Sequence, residues 1–151
     1  MTPTSRPAAD QAIASVEEQF AIMFTRVKAN MRKRAIRVHP ELQTGGYVLL
    51  NTLVHSGRAH AGALAEILDM DKSAISRQVR LLSQLGLIQR EADPADGRAT
   101  YLAATPAAIQ KVTEVRLADQ SHLHSRLRDW EIADLQKLSE LLVKINDVVA
   151  P

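Results

Sequence analysis

Residues 71–86 read Asp71-Lys72-Ser73-Ala74-Ile75-Ser76-Arg77-Gln78-Val79-Arg80-Leu81-Leu82-Ser83-Gln84-Leu85-Gly86. Ile75, Val79, Leu82 and Leu85 recur at steps of three and four, which places them on one side of a helix. Ser73, Ser76, Arg77, Arg80 and Gln84 fall elsewhere around it. Asp71 is a favoured N-cap type, Met70 and Ile75 occupy the two positions of a hydrophobic staple, and Gly86 supplies the stop. The expected product is a helix over 72–85 with an apolar back and a front of small polar and cationic side chains.

Outward from this helix, residues 61–68 carry Leu64 and Leu68 one turn apart and form a short helix, joined to the first through Asp69-Met70-Asp71. On the other side, two short extended runs, 87–91 and 98–103, flank Ala92-Asp93-Pro94-Ala95-Asp96-Gly97, whose Asp-Pro and Asp-Gly pairs mark a turn. Helix, turn, helix and hairpin in this order chiefly serve to lay the second helix in the major groove of double-stranded DNA. Small Ser73, Ala74 and Ser76 let the backbone approach the bases. Arg77 and Arg80 suit guanine O6 and N7, and Lys72 or a serine hydroxyl suits phosphate. Arg90, ending the first extended run, suits phosphate or a local acidic neighbour. The competing reading is that these arginines are merely solvated helix-surface cations.

The flanks are helical. Residues 11–37 contain no Gly or Pro and place Ile13, Val16, Phe20, Met23, Val27 and Met31 on one stripe, which His39-Pro40 ends. A helix from about residue 43 carries Tyr47, Leu50, Leu53 and Val54, with Gly57 closing it as a left-handed cap would. Two more follow, one over 106–127 opened by Pro106 and one over 131–149 with Leu135, Leu138, Leu142, Ile145 and Val149 in a three-four pattern. The flanking helices hold more apolar surface than one small module covers. A two-fold homodimer would bury it, through Val16, Phe20, Leu135, Leu138, Leu142 and Ile145, and would meet two DNA half-sites. The expected fold class is mainly α with a small β-hairpin wing: a flexible arm over 1–10, a dimerisation helix over 11–41, a winged helix-turn-helix over 42–105 and C-terminal dimerisation helices over 106–151.

These residues resemble the MarR (multiple antibiotic resistance) family of regulators. The resemblance is carried by Leu42, Tyr47, Leu50, Leu53 and Gly57, then Leu64-Ala65-Glu66, then 71–79. It continues through Leu85-Gly86-Leu87-Ile88-Gln89-Arg90 and the wing pattern Asp93-x2-Asp96-Gly97-Arg98, ending in Leu102 and Thr105. It implies that 72–85 is the recognition helix and that Arg98 reaches the minor groove, with Asp96 positioning that arginine or bracing the turn. It also implies a homodimeric regulator, a repressor of nearby genes on a pseudo-palindromic operator, released by a small aromatic or anionic effector. Ala103-Ala104-Thr105 departs from the more apolar strand end usual in the family and leaves the register of the second wing strand open.

Composition bounds the rest. A chain of 151 residues, 46% hydrophobic and 24% charged, suits one ordinary folded domain, and a formal charge of +2 means that any nucleic-acid surface comes from local placement of cations. The absence of cysteine excludes disulfides, thiolate metal sites and thiol redox sensing. No apolar run approaches a membrane span and the polar start is unlike a signal peptide, so a cytoplasmic protein is expected. His122 and His124, two apart on a helix, cannot chelate as an i, i+4 pair does, and His39, His55 and His60 lie near loops with scattered carboxylates. Neither a nucleophile beside a base nor a cofactor fingerprint is visible, so no enzyme, metal or cofactor is expected. The basic run Arg32-Lys33-Arg34 with Arg37 reads as a solvated helix end. The rival readings are a winged-helix module for protein contacts and a metal-responsive regulator.

Overall fold

The computed structural model describes residues 5–149. It consists of α1 (Ser5–Val38), α2 (Thr44–Ser56), α3 (Ala61–Ile67), α4 (Lys72–Gln84), β1 (Ile88–Ala92), β2 (Thr100–Ala104), α5 (Pro106–Leu127) and α6 (Ile132–Val149). This is the winged helix-turn-helix fold, mainly α with one antiparallel hairpin. The described residues divide into two compact units, one ending at Val112 and the other beginning at Thr113.

The expected flexible arm over 1–10 needs correction in part. Residues 1–4 lie outside the described residues, but 5–10 are already helical. Pro7 does not prevent this, because the first-turn N–H groups have no intrahelical acceptor and the proline loses nothing there.

In the first unit the core gathers around α2, whose Tyr47, Leu49, Leu50 and Leu53 are buried together with Ala35 and Val38 from the end of α1. Leu64, Ile75, Val79 and Leu82 close it from the two helices of the helix-turn-helix, and Ile88, Leu102 and Ala104 from the hairpin. Leu49 falls outside the stripe read from the sequence because α2 is covered on more than one side. Gly46 lies flush against this packing, where an added Cβ would stand 2.8 Å from Leu42 Cδ1 and 3.1 Å from Gln78 Oε1.

Two helix ends shape the module through one device. At the end of α4, Gly86 adopts φ 69°, its N–H bonds to Ser83 O and the Leu87 N–H bonds back to Leu82 O. This is a Schellman closure. The end of α3 repeats it with Asp69 at φ 49°, Asp69 N–H to Glu66 O and Met70 N–H to Ala65 O. Aspartate tolerates the left-handed region that most side chains avoid. Gly57 has the positive φ expected of it, 81°, but an extended ψ of −171° in place of a helical one, a combination open essentially to glycine alone.

The wing strands are displaced from the expected runs, 87–91 and 98–103, for local reasons. Leu87 is occupied in closing α4, so β1 starts at Ile88, and the turn absorbs Arg98 and Ala99, so β2 starts at Thr100. Ala104 pairs with Ile88 and Thr100 with Ala92, which resolves the register that the alanines left open. Thr105 then joins wing to helix: its hydroxyl donates to Gly86 O at 3.0 Å and accepts the Ala108 N–H of α5 at 3.3 Å.

In the second unit, Ile132–Val149 contains no buried residue, and Leu138, Leu141, Leu142 and Val143 are all exposed.

Candidate DNA interface

The recognition-helix candidate is set by its cap. Asp71 Oδ1 accepts the Ala74 N–H and the Ser73 hydroxyl, both at 2.7 Å, fixing where α4 begins. The Ser73 hydroxyl and then the Ala74 N–H hold the Asp71 carboxyl below the usual carboxylate range, with Arg77 adding to the effect. Lys72, Ser73, Ser76, Arg77 and Arg80 are exposed, and Ala74 is half-buried. The Ser73 proton is therefore committed to Asp71 in this state, leaving the hydroxyl oxygen as an acceptor.

Ser76 and Arg80 of α4 line one groove of about 380 Å³ with Arg90 of β1, over a floor that includes Ile75, Val79 and Leu102. Helix and wing thus bring two arginines to one concave surface. Lys72, Arg80, Arg90 and Arg98 have no acidic partner among the described residues. Unneutralised cations on an exposed face are what a phosphate-bearing partner requires.

At the hairpin turn, Asp96 Oδ1 accepts the backbone N–H of Arg98 at 3.0 Å, and Asp96 O accepts the Ala99 N–H. Asp96 acts on the backbone of Arg98 and forms no ion pair with its guanidinium. Arg98 is left exposed.

The base of the wing holds a cluster that the sequence reading missed. Ala59 exchanges both backbone hydrogen bonds with Leu102, adding a one-residue third pairing beside β2. On either side of it, Arg58 meets Glu91 at 3.1 Å and His60 meets Asp93 at 3.1 Å. The His60 ring stacks on Tyr101 at 4.0 Å between centroids, and Arg58 lies 4.5 Å from the centroid of the same ring. The Arg58 guanidinium lowers the Glu91 carboxyl from its ordinary value; the Ala95 N–H, followed by His60, lowers that of Asp93. His60 is thus part of the wing's support, where the sequence placed it only near a loop with scattered carboxylates. Among the described residues no three His, Asp or Glu side chains converge as a metal site would need.

The residues assigned to dimerisation lie outside this module's core. Val16 is exposed and Phe20 half-buried on α1, where Phe20 stacks on Phe24 at 6.0 Å. On α6, Leu138 and Leu142 are exposed and Leu135 and Ile145 half-buried. Trp130 is 49% exposed in the single chain, whereas Tyr47 is a core residue.

Comparison with known proteins agrees with this fold. The MarR family model matches residues 46–99, the stretch from the core of α2 through the wing turn. The chain is 30% identical over 105 residues to the uncharacterized HTH-type transcriptional regulator YxaD of Bacillus subtilis, covering 70% of this chain and 73% of that one. It is 29% identical over 114 residues to a putative transcriptional regulatory protein for the hcr operon of Thauera aromatica, covering 74% and 69%. A MarR family protein of Bacillus stearothermophilus shares the fold, with a TM-score of 0.77 at 17% identity, over 91% of this chain and 95% of that one.

Proposed function

The chain belongs to the MarR family of transcriptional regulators, and on that premise we propose that it is a homodimeric repressor that binds a pseudo-palindromic operator near its own gene. The observation that carries this reading is the exposed cationic face shared by α4 and the wing, with Arg80 and Arg90 on one groove and, among the described residues, no acidic partner to neutralise them. In this reading Arg77 and Arg80 meet base edges, Lys72, Ser76 and Arg90 meet the backbone, Ser73 joins them when its hydroxyl turns from Asp71 to a phosphate, Ala74 permits close approach, and Arg98 enters the minor groove from a turn braced by Asp96.

Dimerisation is supported by the apolar side chains that α1 and α6 leave exposed, among them Val16, Phe24, Leu138 and Leu142. A soluble monomer seldom exposes so many without a partner to cover them. A small effector finds support in a cavity of about 560 Å³ lined by Arg32, Ile36, Glu41, Leu42 and Thr44, which offers a cation and a carboxylate beside an apolar wall, so that Arg32 is the group an aromatic or anionic effector would meet. A regulator of this kind acts in the cytoplasm, where its operator is.

The test is a titration of the purified protein against the promoter region beside its own gene and against random DNA of equal length. Specific binding about a thousandfold or more tighter than random binding is expected. Equal affinities for the two would discard the operator reading and favour a winged module for protein contacts.

A further inference from the structure

The cluster at the base of the wing has a chemical requirement that decides its protonation state. His60 Nδ1 lies 3.1 Å from the carbonyl oxygen of Thr100, and His60 Nε2 lies 3.1 Å from a carboxylate oxygen of Asp93. Both neighbours are acceptors and neither brings a proton. A neutral imidazole has one N–H and one lone pair, so it can satisfy only one of them. Both contacts form together only when the ring carries two N–H groups, that is, as the imidazolium.

Asp93 supplies the other half of the requirement. Its side chain is only 10% exposed, and its Oδ1 already accepts the Ala95 N–H at 2.8 Å, leaving the second oxygen facing His60. A nearly buried carboxylate needs a partner for that oxygen. The Asp93 backbone is fixed as well, its N–H donating to Ala99 O across the turn. Asp93 and Ala99 bracket the turn that carries Asp96 and Arg98. The remaining charged or titratable groups around the ring are Tyr101, stacked on it, and the Arg58–Glu91 pair, whose opposite charges meet beside the same tyrosine.

We propose that the His60 imidazolium is a latch that positions the wing for DNA, so that wing engagement is coupled to the protonation of His60. Loss of the second proton removes the bond to Asp93 or to Thr100 and frees the turn at its base. DNA affinity is then highest at the acid side of neutrality and falls as the pH rises. His60 acts through the wing, as a positioning residue, and does not itself touch DNA. The inference rests on the reading that Arg98 contacts the operator, and it adds a protonation control that the reading alone does not contain.

Three variants test it. His60→Phe keeps a ring to stack on Tyr101 but has neither N–H. Asp93→Asn keeps an acceptor for Ala95 and offers an N–H to a neutral His60 Nε2, so it rebuilds the latch without the imidazolium. Arg98→Ala leaves the latch and removes the cation it places.

Operator binding is measured from about pH 6 to about pH 8, the range over which histidine charge commonly changes, together with hydrogen exchange at Ala95, Arg98 and Ala99 in the free protein. The wild type is expected to lose about tenfold in affinity across this range, the scale of one charge-assisted hydrogen bond. His60→Phe is expected to bind weakly and evenly at all pH values, with faster exchange at the three amides. Asp93→Asn is expected to retain slow exchange and near wild-type affinity while losing the extra pH dependence. Arg98→Ala is expected to keep slow exchange but to lower the slope of log affinity against log salt by about 0.9.

Unchanged exchange in His60→Phe overturns the latch, as does an Asp93→Asn variant that keeps the full wild-type pH profile. An Arg98→Ala variant with wild-type affinity and salt slope, alongside slow exchange, instead overturns the reading that Arg98 meets DNA. The two failures are therefore distinguishable.

Discussion

Arg77 and Lys72 stand on the same helix and carry the same charge, yet their chemistry assigns them different work. A planar guanidinium can form a paired contact with a guanine edge, whereas an ammonium meets phosphate as a point charge. Arg77→Ala is expected to cost about 1–3 kcal/mol on the operator and to relax base preference at one position per half-site, while Lys72→Ala weakens operator and random DNA alike. Binding isotherms on both kinds of DNA check this, and equal losses for the two variants on both DNAs would remove Arg77 from the base-reading set. Ser73 shows how the state of a residue escapes the sequence. Its size suits close approach, but its hydroxyl proton already belongs to Asp71, a local bond two residues away that the spacing alone does not reveal.

Individual elements were legible where their cause is local. Asp71 as a cap, Gly86 as a stop and the apolar spacing of α4 are all written in consecutive residues, and the helix lies where they put it. Asp69 was not legible, because the left-handed residue that ends α3 is an aspartate where glycine is the usual sign. The wing strands shifted because two backbone closures, Leu87 onto α4 and Arg98 onto Asp96, claim residues that otherwise read as extended. The latch was invisible for a stronger reason: His60 and Thr100 are 40 residues apart.

The cap itself yields a pH prediction. The carboxyl of Asp71 titrates below its ordinary value in the folded chain, so its contribution to stability is present above the usual carboxylate pKa of about 3.9 and is lost as pH falls through the lowered value. Asp71→Ala should lower the melting temperature by a few degrees at neutral pH. Asp71→Asn, which keeps a capping oxygen, should melt near the wild type there while losing this acid-sensitive contribution. Thermal melts between about pH 3 and pH 7 decide it.

For the molecule as a whole, the decisive question is what covers α6. Leu138 and Leu142 are 38% and 44% exposed in the single chain, so charged side chains there disturb the monomer little but would be buried in an interface. Combining Leu138→Glu with Leu142→Glu should therefore give a folded monomer whose operator affinity falls by two orders of magnitude or more, since only one half-site can then be held at a time. Sedimentation with a parallel binding titration measures both, and a doubly substituted chain that stays dimeric would exclude this face from the interface. Removal of residues 131–151 is the harsher version and should leave a chain that aggregates. The apolar stripes were plain in the sequence. Their partner was not, because periodicity reports which side of a helix is apolar and not what lies against it.

The single-residue pairing of Ala59 with Leu102 also has a consequence for the order in which the protein is made. A two-stranded hairpin is marginal on its own, and this one gains its third pairing from a residue that precedes α3. Closing that pairing encloses both helices of the helix-turn-helix, so helices and wing mature as one cooperative unit. On a ribosome, α3 and α4 emerge well before Leu102, and until β2 follows, Ala59 has no partner and Tyr101 is not there to receive Arg58 and His60. The nascent chain thus carries α4 for a time without the wing beside it, and the support at the base of the hairpin is complete only with the second strand of the wing.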